Sequence, residues 1–371
     1  MAWQPRAGGI SPQAAAEKAV GVQVAVSAAF AHWDAYELDY RLKQGEEDPL
    51  RTVILPELRA AHVEGTVYAV GGDSKEHSAG RDDPLLGALL YSDAVVTQIE
   101  RSRGEAVVVR TLDDLRAAQR SGAIWFVLGL EGCSPLRGEL ATLRAFHRLG
   151  LRYLGLTWNG RNEAADGVGL PSPGGLTDFG RELVAELNRL GILIDVSHLS
   201  ARGLAEVVEL SATPVFASHS NARALLDHRR NLTDEQLRLV ASSGGIVGVN
   251  FHPTFLAEGD ATVGDLADQV EHIASVVGIE RVALGPDFTY DPWRQSLRGT
   301  RSYKGVSMDI TRRYPVHRPG ELGLLRAELE RRGLSSERIA QVFSGNLVAL
   351  LTRVLPGGAS STQSQMGEVR P

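Results

Sequence analysis

The sequence predicts a single α/β domain folded as a (β/α)8 barrel of the TIM type, with additional helices at its C-terminal end. Three observations support this prediction. Eight short apolar runs alternate with segments of helical periodicity, and polar side chains stand directly after several of these runs. The chain of 371 residues is also long enough for one large α/β domain, or for two smaller ones. A doubly wound open sheet is the alternative, but it would bring only some strand ends to one crevice.

The first half of the chain supplies four of the predicted strands. Apolar runs bounded by turn residues are typical of buried parallel strands, and they occur at residues 22–30, 66–70, 123–130 and 151–156. Segments of helical periodicity predict helices at residues 56–62, 85–101, 112–120 and 140–149. Gly150 ends the last of these helices as a C-cap. Residues 1–19 form a leader segment with a short helical patch.

The second half supplies the other four strands, at residues 192–196, 214–217, 245–250 and 281–285. Helices are predicted at residues 178–190, 201–210, 221–226, 233–242, 263–277, 322–332 and 336–354. Asp178 is the expected N-cap of the first of them. Residues 290–318 are polar and without clear periodicity, so we expect a loop that could cover the mouth of the barrel. The single barrel domain is expected to span residues 20–355, followed by a disordered tail rich in Gly, Ser and Gln at 356–371.

Composition excludes several classes of function. Lys and Arg number 39 against 45 Asp and Glu, and the resulting net charge of −6 argues against a nucleic acid as the main partner. The single cysteine, Cys133, excludes an internal disulfide, and we interpret it as a small buried residue. No apolar run reaches the 18 residues of a membrane span. We therefore expect a soluble, cytoplasmic protein that does not bind a membrane.

Two histidines stand at equivalent places after successive strands. The runs at 192–196 and 214–217 each end in a Ser-His pair, which places His198 and His219 just past the strand ends. The helical segment between the runs makes this part a strand–helix–strand unit. One such histidine would carry little weight, but two in successive units indicate a metal site, because neutral imidazole is a common ligand of zinc-like ions.

Four further polar residues follow predicted strands: His32, Asp34, Glu131 and Asp287. His32 and Asp34 are two residues apart, so in a strand their side chains point the same way and can reach one ion. Three histidines and three carboxylates exceed what one tetrahedral ion needs, and they suit two metals bridged by a carboxylate and a water. Glu131 is the candidate bridge, and Asp287 remains as a proton carrier.

Simpler interpretations remain for single residues. Asp34 taken alone could be an N-cap and Asp287 a turn residue. The remaining histidines are interpreted as ordinary polar residues rather than metal ligands: His62, His77, His147, His228, His252, His272 and His317. The conjunction of six polar residues at one mouth favours the metal site.

Several segments together resemble one known family. They include His32-Trp33-Asp34, LIDVSHL at 193–199, FASHSNARAL at 216–225, DHRRN at 227–231 and GPDF at 285–288. The SHSNAR segment followed by DHRRN is the most specific of them. From about residue 32 to residue 351 the chain resembles the membrane (renal) dipeptidase family, zinc peptidases on an amidohydrolase-type barrel.

The resemblance implies two Zn²⁺ ions, or other divalent ions, as cofactors. It implies that His32, Asp34 and Glu131 hold one ion, and that Glu131, His198 and His219 hold the other. Arg230 would pair with the substrate's carboxylate, a task that suits a planar guanidinium. Asp287 would take the proton of the metal-bridging water.

The sequence departs from the family beside the site. Trp158 stands where the family usually has a histidine, in a Thr-His-Asn run, that helps to bind the substrate and stabilise the oxyanion. Trp158 and Asn159 are therefore expected at the substrate, but an indole offers only one N–H donor. Phe30-Ala31 replaces the usual Asp-Gly before the metal pair, and Thr289 replaces an Asp that often follows Asp-Phe.

The expected function is a binuclear zinc dipeptidase that uses a metal-bridging hydroxide and has Asp287 and Glu131 at its reacting centre. The resemblance also implies that a D-residue is tolerated at the C-terminal position. One alternative keeps the metals but acts on another amide or a lactone, selected by a pocket that contains Trp158. Another is a barrel that binds a small molecule with a weakened site. The expected partner is a small dipeptide, and a homodimer is left open.

Overall fold

The computed structural model of the protein describes residues 26–74, 81–289, 300–309 and 312–357. Its strands are β1 (Ala28–Asp34), β2 (Val63–Gly72), β3 (Ala106–Val108), β4 (Ile124–Glu131), β5 (Tyr153–Gly155), β6 (Leu193–Asp195), β7 (Phe216–Ala217), β8 (Ile246–Asn250), β9 (Val282–Gly285), β10 (Thr300–Tyr303) and β11 (Val306–Asp309). Its helices are α1 (Tyr36–Lys43), α2 (Leu55–Ala60), α3 (Pro84–Arg101), α4 (Leu112–Ser121), α5 (Leu140–Leu149), α6 (Asp178–Leu190), α7 (Ala201–Leu210), α8 (Asp234–Ser242), α9 (Val263–Val277), α10 (Leu322–Arg331), α11 (Ser336–Ala340) and α12 (Asn346–Val354).

Eight parallel strands close into a barrel. Strand β2 pairs with both β1 and β4, pairing continues in chain order from β4 to β9, and β9 pairs with β1. This confirms the (β/α)8 fold, and each of the eight predicted strands overlaps one barrel strand. The short strand β3 was not predicted; it pairs with the first residues of β4 and lies outside the closed ring. Its three residues are too few to produce a periodic signal.

The first strand carries an irregularity that matters for the site. Strand β1 begins at Ala28 rather than at residue 22, and its pairing with β2 shifts register between Phe30 and Trp33. Ala29 and Ala31 face the barrel interior, whereas Phe30 and Trp33 pack in the outer layer. The inserted residue changes the alternation, so that His32 and Asp34, which share a side because they are two residues apart, both face inward. Bulges of this kind are common beside active sites, where they redirect a side chain.

The barrel interior is filled by side chains and is closed at its lower end by the last helix. Interior residues such as Val127, Tyr153 and Phe216 belong to one cluster with Leu347 and Leu351 of α12. A second, larger cluster packs the surrounding helices against the outer face of the strands. The polar residues are thereby confined to the opposite end, where the strands end.

Four predicted helices have the same bounds in the structure: α5, α6, α7 and α9. The predicted N-cap Asp178 is wrong: Thr177 is the N-cap, because its Oγ1 accepts a hydrogen bond from the backbone N of Gly180 at 3.0 Å. The helix predicted at 221–226 is absent. Asn221 instead binds the main chain of Asn250 through both side-chain atoms, at 2.9 and 3.0 Å, and this holds the segment in a turn.

Two predictions near the C-terminus were also incomplete. The single helix predicted at 336–354 is divided into α11 and α12 by a π-helical turn at Gln341–Gly345. Within the loop predicted at 290–318, β10 and β11 form an antiparallel hairpin. The predicted leader segment at 1–19, His77 and all of the predicted tail except residues 356 and 357 lie outside the described residues. No helix in the described part of the chain is both long and apolar enough to span a membrane.

Candidate active site

A cavity opens at the carboxyl end of the barrel. It is lined by Asp34, Tyr36, Ser74, Glu131, Trp158, His198, His219, Arg230, His252, Phe255, Asp287, Thr289, Tyr303 and Met308. Seven of the sequence-predicted site residues are in this lining: Asp34, Glu131, Trp158, His198, His219, Arg230 and Asp287. His32 is not in the lining, but its Nε2 lies 3.6 Å from Oδ1 of Asp34.

Two imidazoles converge on one carboxylate oxygen. Nε2 of His198 lies 2.9 Å from Oε1 of Glu131, and Nε2 of His219 lies 3.1 Å from the same atom. The two Nε2 atoms are 2.9 Å apart. Two basic nitrogens and a carboxylate brought this close, all from buried side chains, form a donor set of the kind that holds a zinc-like ion.

His32 extends this cluster toward two further carboxylates. Potential ligand atoms of His32, Glu131 and His219 lie within 4.8 Å of one another, as do those of His32, Asp34 and Asp287. His32 is fully buried, and neither of its ring nitrogens has a hydrogen-bond partner among the described residues. The carboxylates nearest to its Nε2, those of Asp34 at 3.6 Å and Glu131 at 3.8 Å, lie beyond hydrogen-bond distance, and a buried imidazole that makes no hydrogen bond is costly unless a ligand satisfies it. The residues present therefore fit divalent metal ions.

Asn159 fixes the tautomer of His198. Its Oδ1 lies 2.8 Å from Nδ1 of His198, and an amide oxygen can only accept a hydrogen bond, so Nδ1 carries the proton. The lone pair of Nε2 is then directed toward Glu131, as a metal ligand requires. The cavity lining, taken over the described residues, does not include Asn159, so its expected contact with substrate stays a prediction.

His219 is oriented in the same way through a serine and an aspartate. Ser218 Oγ donates to Oδ2 of Asp195 and accepts from Nδ1 of His219, which is 2.7 Å away. Oδ1 of Asp195 also accepts the backbone N–H groups of Ser197 at 2.9 Å and Ser218 at 3.0 Å. One buried carboxylate thus ties the ends of β6 and β7 together and directs Nε2 of His219 at Glu131.

The electrostatics of the cluster favour cations. Burial would lower the pKa of His32, but the charges of Asp34 and Glu131 outweigh it and raise that pKa to about 9. Burial and the charge of Arg230 lower the pKa of His198 to about 4. Burial, together with the charge of His32, keeps the pKa of His219 well below its usual value. His198 and His219 are therefore neutral at pH 7, the form that binds metal.

Asp287 stands at the end of β9 in an unusual backbone conformation. Its φ angle is +54°, in the left-handed region that non-glycine residues seldom occupy and that occurs preferentially at functional sites. Nδ2 of Asn250 donates to its Oδ2 at 3.1 Å, and Tyr314 Oη donates to its carbonyl oxygen at 3.0 Å. Desolvation, opposed by His32 and reinforced by the negative charges of Asp34 and Glu131, raises the pKa of Asp287 to about 7.

Arg230 is a buried cation beside His198. Its guanidinium donates to the carbonyl oxygens of Ser197 and His219, and Nη2 lies 3.1 Å from Nε2 of His198. Only 2% of the residue is exposed, and its Nε has no hydrogen-bond partner among the described residues. A carboxylate entering the cavity would find a fixed positive charge with donor capacity left.

Sequence reasoning missed the role of Asp73, which follows β2. Its carboxylate accepts from Ser134 N at 2.8 Å, Trp158 N at 2.9 Å and Asn162 Nδ2 at 2.9 Å. These bonds fix the segment that carries Trp158. The position of an aspartate after a strand end was the available signal, but nothing in the sequence gave its partners.

His252 lines the cavity although the sequence gave no reason to assign it to the site. Other histidines fit the simpler interpretation, since His272 and His317 lie 2.9 and 2.7 Å from Asp234 and Glu321. Burial raises the pKa of the Cys133 thiol, which agrees with a packing role.

Comparison with known proteins matches this chain to one family. A sequence model described as membrane dipeptidase, peptidase family M19, matches residues 18–363. An uncharacterised dipeptidase of Schizosaccharomyces pombe is 34% identical over 244 residues, which are 64% of this chain and 54% of that protein. Dipeptidase aclJ of Aspergillus oryzae is 34% identical over 235 residues, covering 62% of this chain and 51% of that protein. The chain thus spans about half the length of these curated relatives.

A solved structure shares nearly the whole described fold. It is a metallo peptidase from Rhodobacter sphaeroides, determined with a phosphinate mimic of the dipeptide L-Ala-D-Ala. The TM-score is 0.75 at 25% identity, and the match covers 89% of this chain and 100% of that one.

Proposed function

The chain belongs to the membrane dipeptidase family, peptidase family M19, and from this membership and the geometry of the mouth we propose that it hydrolyses dipeptides with the help of two divalent metal ions, zinc in the first place. One observation carries the proposal: His198 and His219 direct Nε2 at the same oxygen of Glu131, within 3.1 Å. Glu131 would be shared by both ions, with His32 and Asp34 completing one set and His198 and His219 the other.

When bound, two such ions would polarise the scissile carbonyl and lower the pKa of a water molecule. The protein's own contribution begins with orientation. Asn159 and the Asp195–Ser218 pair hold the two imidazoles in fixed tautomers, so that the donor set is formed before the substrate arrives. Such preorganisation removes the need to rearrange charged groups during the reaction.

Asp287 would take the proton of the attacking water and pass it to the leaving amine. Its carboxylate is within the cluster of His32 and Asp34, so it reaches the same space as the reacting centre. The hydrogen bond from Asn250 leaves one carboxylate oxygen for this task. General acid–base groups of this kind contribute about 10²–10⁴-fold to rate.

Arg230 would hold the substrate's C-terminal carboxylate, which fixes the dipeptide's direction across the mouth. The ligand of the Rhodobacter sphaeroides relative mimics a dipeptide with a D-residue at the C-terminal position. We extend this to the present chain and propose that a D-residue is accepted at that position.

The proposal is tested with a panel of L-L and L-D dipeptides and purified, zinc-loaded protein, monitored by amino-acid release. Cleavage that disappears on chelation and returns with zinc supports the proposal, and two zinc ions per chain support the shared role of Glu131. Absence of cleavage in the metal-loaded protein would reject the dipeptidase assignment. Cleavage of other amides or of lactones instead would favour the second candidate function, a metal-dependent hydrolase of another small substrate. The observation that favours this second function is Trp158, which stands where the family usually has a histidine.

A further inference from the structure

One wall of the cavity, next to His198, is aromatic. Trp158 and Tyr303 both line the cavity, and their rings meet edge to face with centroids 5.5 Å apart. The Trp158 ring also lies 6.1 Å from the ring of His198. Met308, from the same hairpin as Tyr303, adds further apolar surface to the lining. Aromatic pairs of this geometry offer a large apolar area with little conformational freedom.

The hairpin that carries Tyr303 is packed closely on the segment that follows Trp158. A Cβ atom at Gly169 would overlap the carbonyl oxygen of Lys304, and one at Gly305 would overlap the carbonyl oxygen of Gly169. Gly305 has a φ angle of +89°, which suits glycine at this contact. At the other end of the hairpin, Asp309 N donates to Oγ1 of Thr254 at 3.1 Å. Tyr303 is therefore held in place over the cavity.

Trp158 is held from the opposite side. Its backbone N–H donates to Oδ2 of Asp73 at 2.9 Å, and Asp73 also fixes Ser134 and Asn162. The aromatic wall is thus formed by two anchored segments, β10–β11 and the loop after β5. A binding surface fixed in this way costs little conformational entropy when a ligand packs on it.

The position of the wall indicates which part of a dipeptide it faces. Arg230 and Trp158 both adjoin His198, the former at 3.1 Å between Nη2 and Nε2. Asp34 and Asp287 group with His32 instead. A dipeptide with its carboxylate on Arg230 therefore places its C-terminal residue at the His198 end of the cavity, beside the aromatic wall.

We propose that Trp158, Tyr303 and Met308 form a subsite for the side chain of the substrate's C-terminal residue, and that the substrates are dipeptides with a large apolar residue at that position. The inference rests on the proposed function, because it uses Arg230 as the carboxylate anchor. It assigns to Trp158 a role in selection that the histidine it replaces cannot perform, since an imidazole offers less apolar area.

Binding to the zinc-loaded Asp287→Asn protein, measured by calorimetry, separates this subsite from catalysis. We expect Gly-Leu and Gly-Phe to bind at least about tenfold more tightly than Gly-Gly, a typical gain for an apolar side chain that enters an apolar pocket. Phe-Gly should bind no better than Gly-Gly. Equal dissociation constants for Gly-Gly and Gly-Phe, or a preference for Phe-Gly, would overturn the proposal.

The variants Trp158→Ala and Tyr303→Ala should each reduce the preference for Gly-Phe over Gly-Gly. Trp158→Phe is the matched control and should retain most of the preference, because it keeps an aromatic ring. A preference that survives in both alanine variants would also overturn the proposal. If the parent protein cleaves no dipeptide but the Asp287→Asn protein shows the ring-dependent binding, the proposed function fails and the subsite stands.

Discussion

Oδ1 of Asn159 lies 2.8 Å from Nδ1 of His198, on the side of the imidazole that faces away from Glu131. This contact determines which ring nitrogen of His198 is available as a ligand. It also gives Asn159 a positioning role that differs from the substrate contact predicted from its place in the sequence.

Replacing Asn159 by leucine should therefore weaken metal binding. We expect a loss of about 10–100-fold in zinc affinity at the His198 site, as is typical when the partner of a ligating histidine is removed. Asn159→Asp keeps an oxygen acceptor at the same place and should retain most of the affinity. Competition with a chromophoric chelator measures both. Unchanged zinc affinity with a raised KM would favour the substrate contact instead.

The role proposed for Arg230 predicts that the enzyme requires a free C-terminal carboxylate on its substrate. The parent protein should cleave Gly-Leu with kcat/KM about 30-fold or more above that for Gly-Leu amide, because loss of one partner of a buried charged pair costs about 2 kcal/mol or more. Arg230→Lys should reduce this ratio, since it lacks the planar fork. The exposed neighbour Arg229, substituted by lysine, is the matched control and should leave the ratio unchanged. Equal rates on the acid and the amide would contradict the assignment.

A substitution at Gly132 tests the packing that supports the site. Its φ angle is +104°, and a Cβ there would overlap the carboxylate of Asp73. Gly132→Ala should lower the free energy of unfolding by about 2–4 kcal/mol through backbone strain and displacement of Asp73. Gly122, with φ +72° and no atom within 4 Å of a built Cβ, isolates the strain alone. Gly122→Ala should cost only about 1 kcal/mol. If urea denaturation shows the same loss of unfolding free energy for Gly132→Ala and Gly122→Ala, the contact with Asp73 does not contribute to stability.

His147 at the end of α5 links stability to pH. Burial and the charges of Arg152 and Arg189 lower its pKa from 6.5 to about 4. The unfolded chain therefore binds this proton more readily, so stability is retained above pH 6.5 and is lost as pH falls from 6.5 to about 4. His147→Gln should remove this part of the acid dependence. Urea midpoints of parent and variant, measured at intervals from pH 7.5 to pH 4.5, check it; parallel curves would contradict it.

Much of the site could be predicted from the sequence because its residues stand at the ends of strands. In a closed parallel barrel these ends meet, so the alternation of strands and helices was enough to bring His32, Glu131, His198 and Asp287 together. The regular helices α5, α6, α7 and α9 were predicted with their bounds for a similar reason: each has an apolar face and a clear end.

What the sequence did not reveal depends on contacts between distant segments. The register shift in β1, which directs His32 and Asp34 inward, follows from pairing with β2 rather than from a local pattern. Asp195 lies inside a predicted strand, and its bonds to Ser197 and Ser218 appear only when β6 and β7 are adjacent. The hairpin at β10–β11 packs its backbone closely on Gly169, a contact between distant segments that the local sequence does not show.

The most direct test of the account is hydrolysis of one preferred dipeptide by the zinc-loaded parent and by Asp287→Asn, with bound zinc measured in both. The account predicts cleavage by the parent and a fall in kcat of about 10²–10⁴-fold in the variant, since the amide cannot accept the proton. Zinc content should stay the same. Equal rates in the two proteins at equal zinc content would contradict the role of Asp287, and absence of cleavage by the parent would contradict the dipeptidase assignment itself.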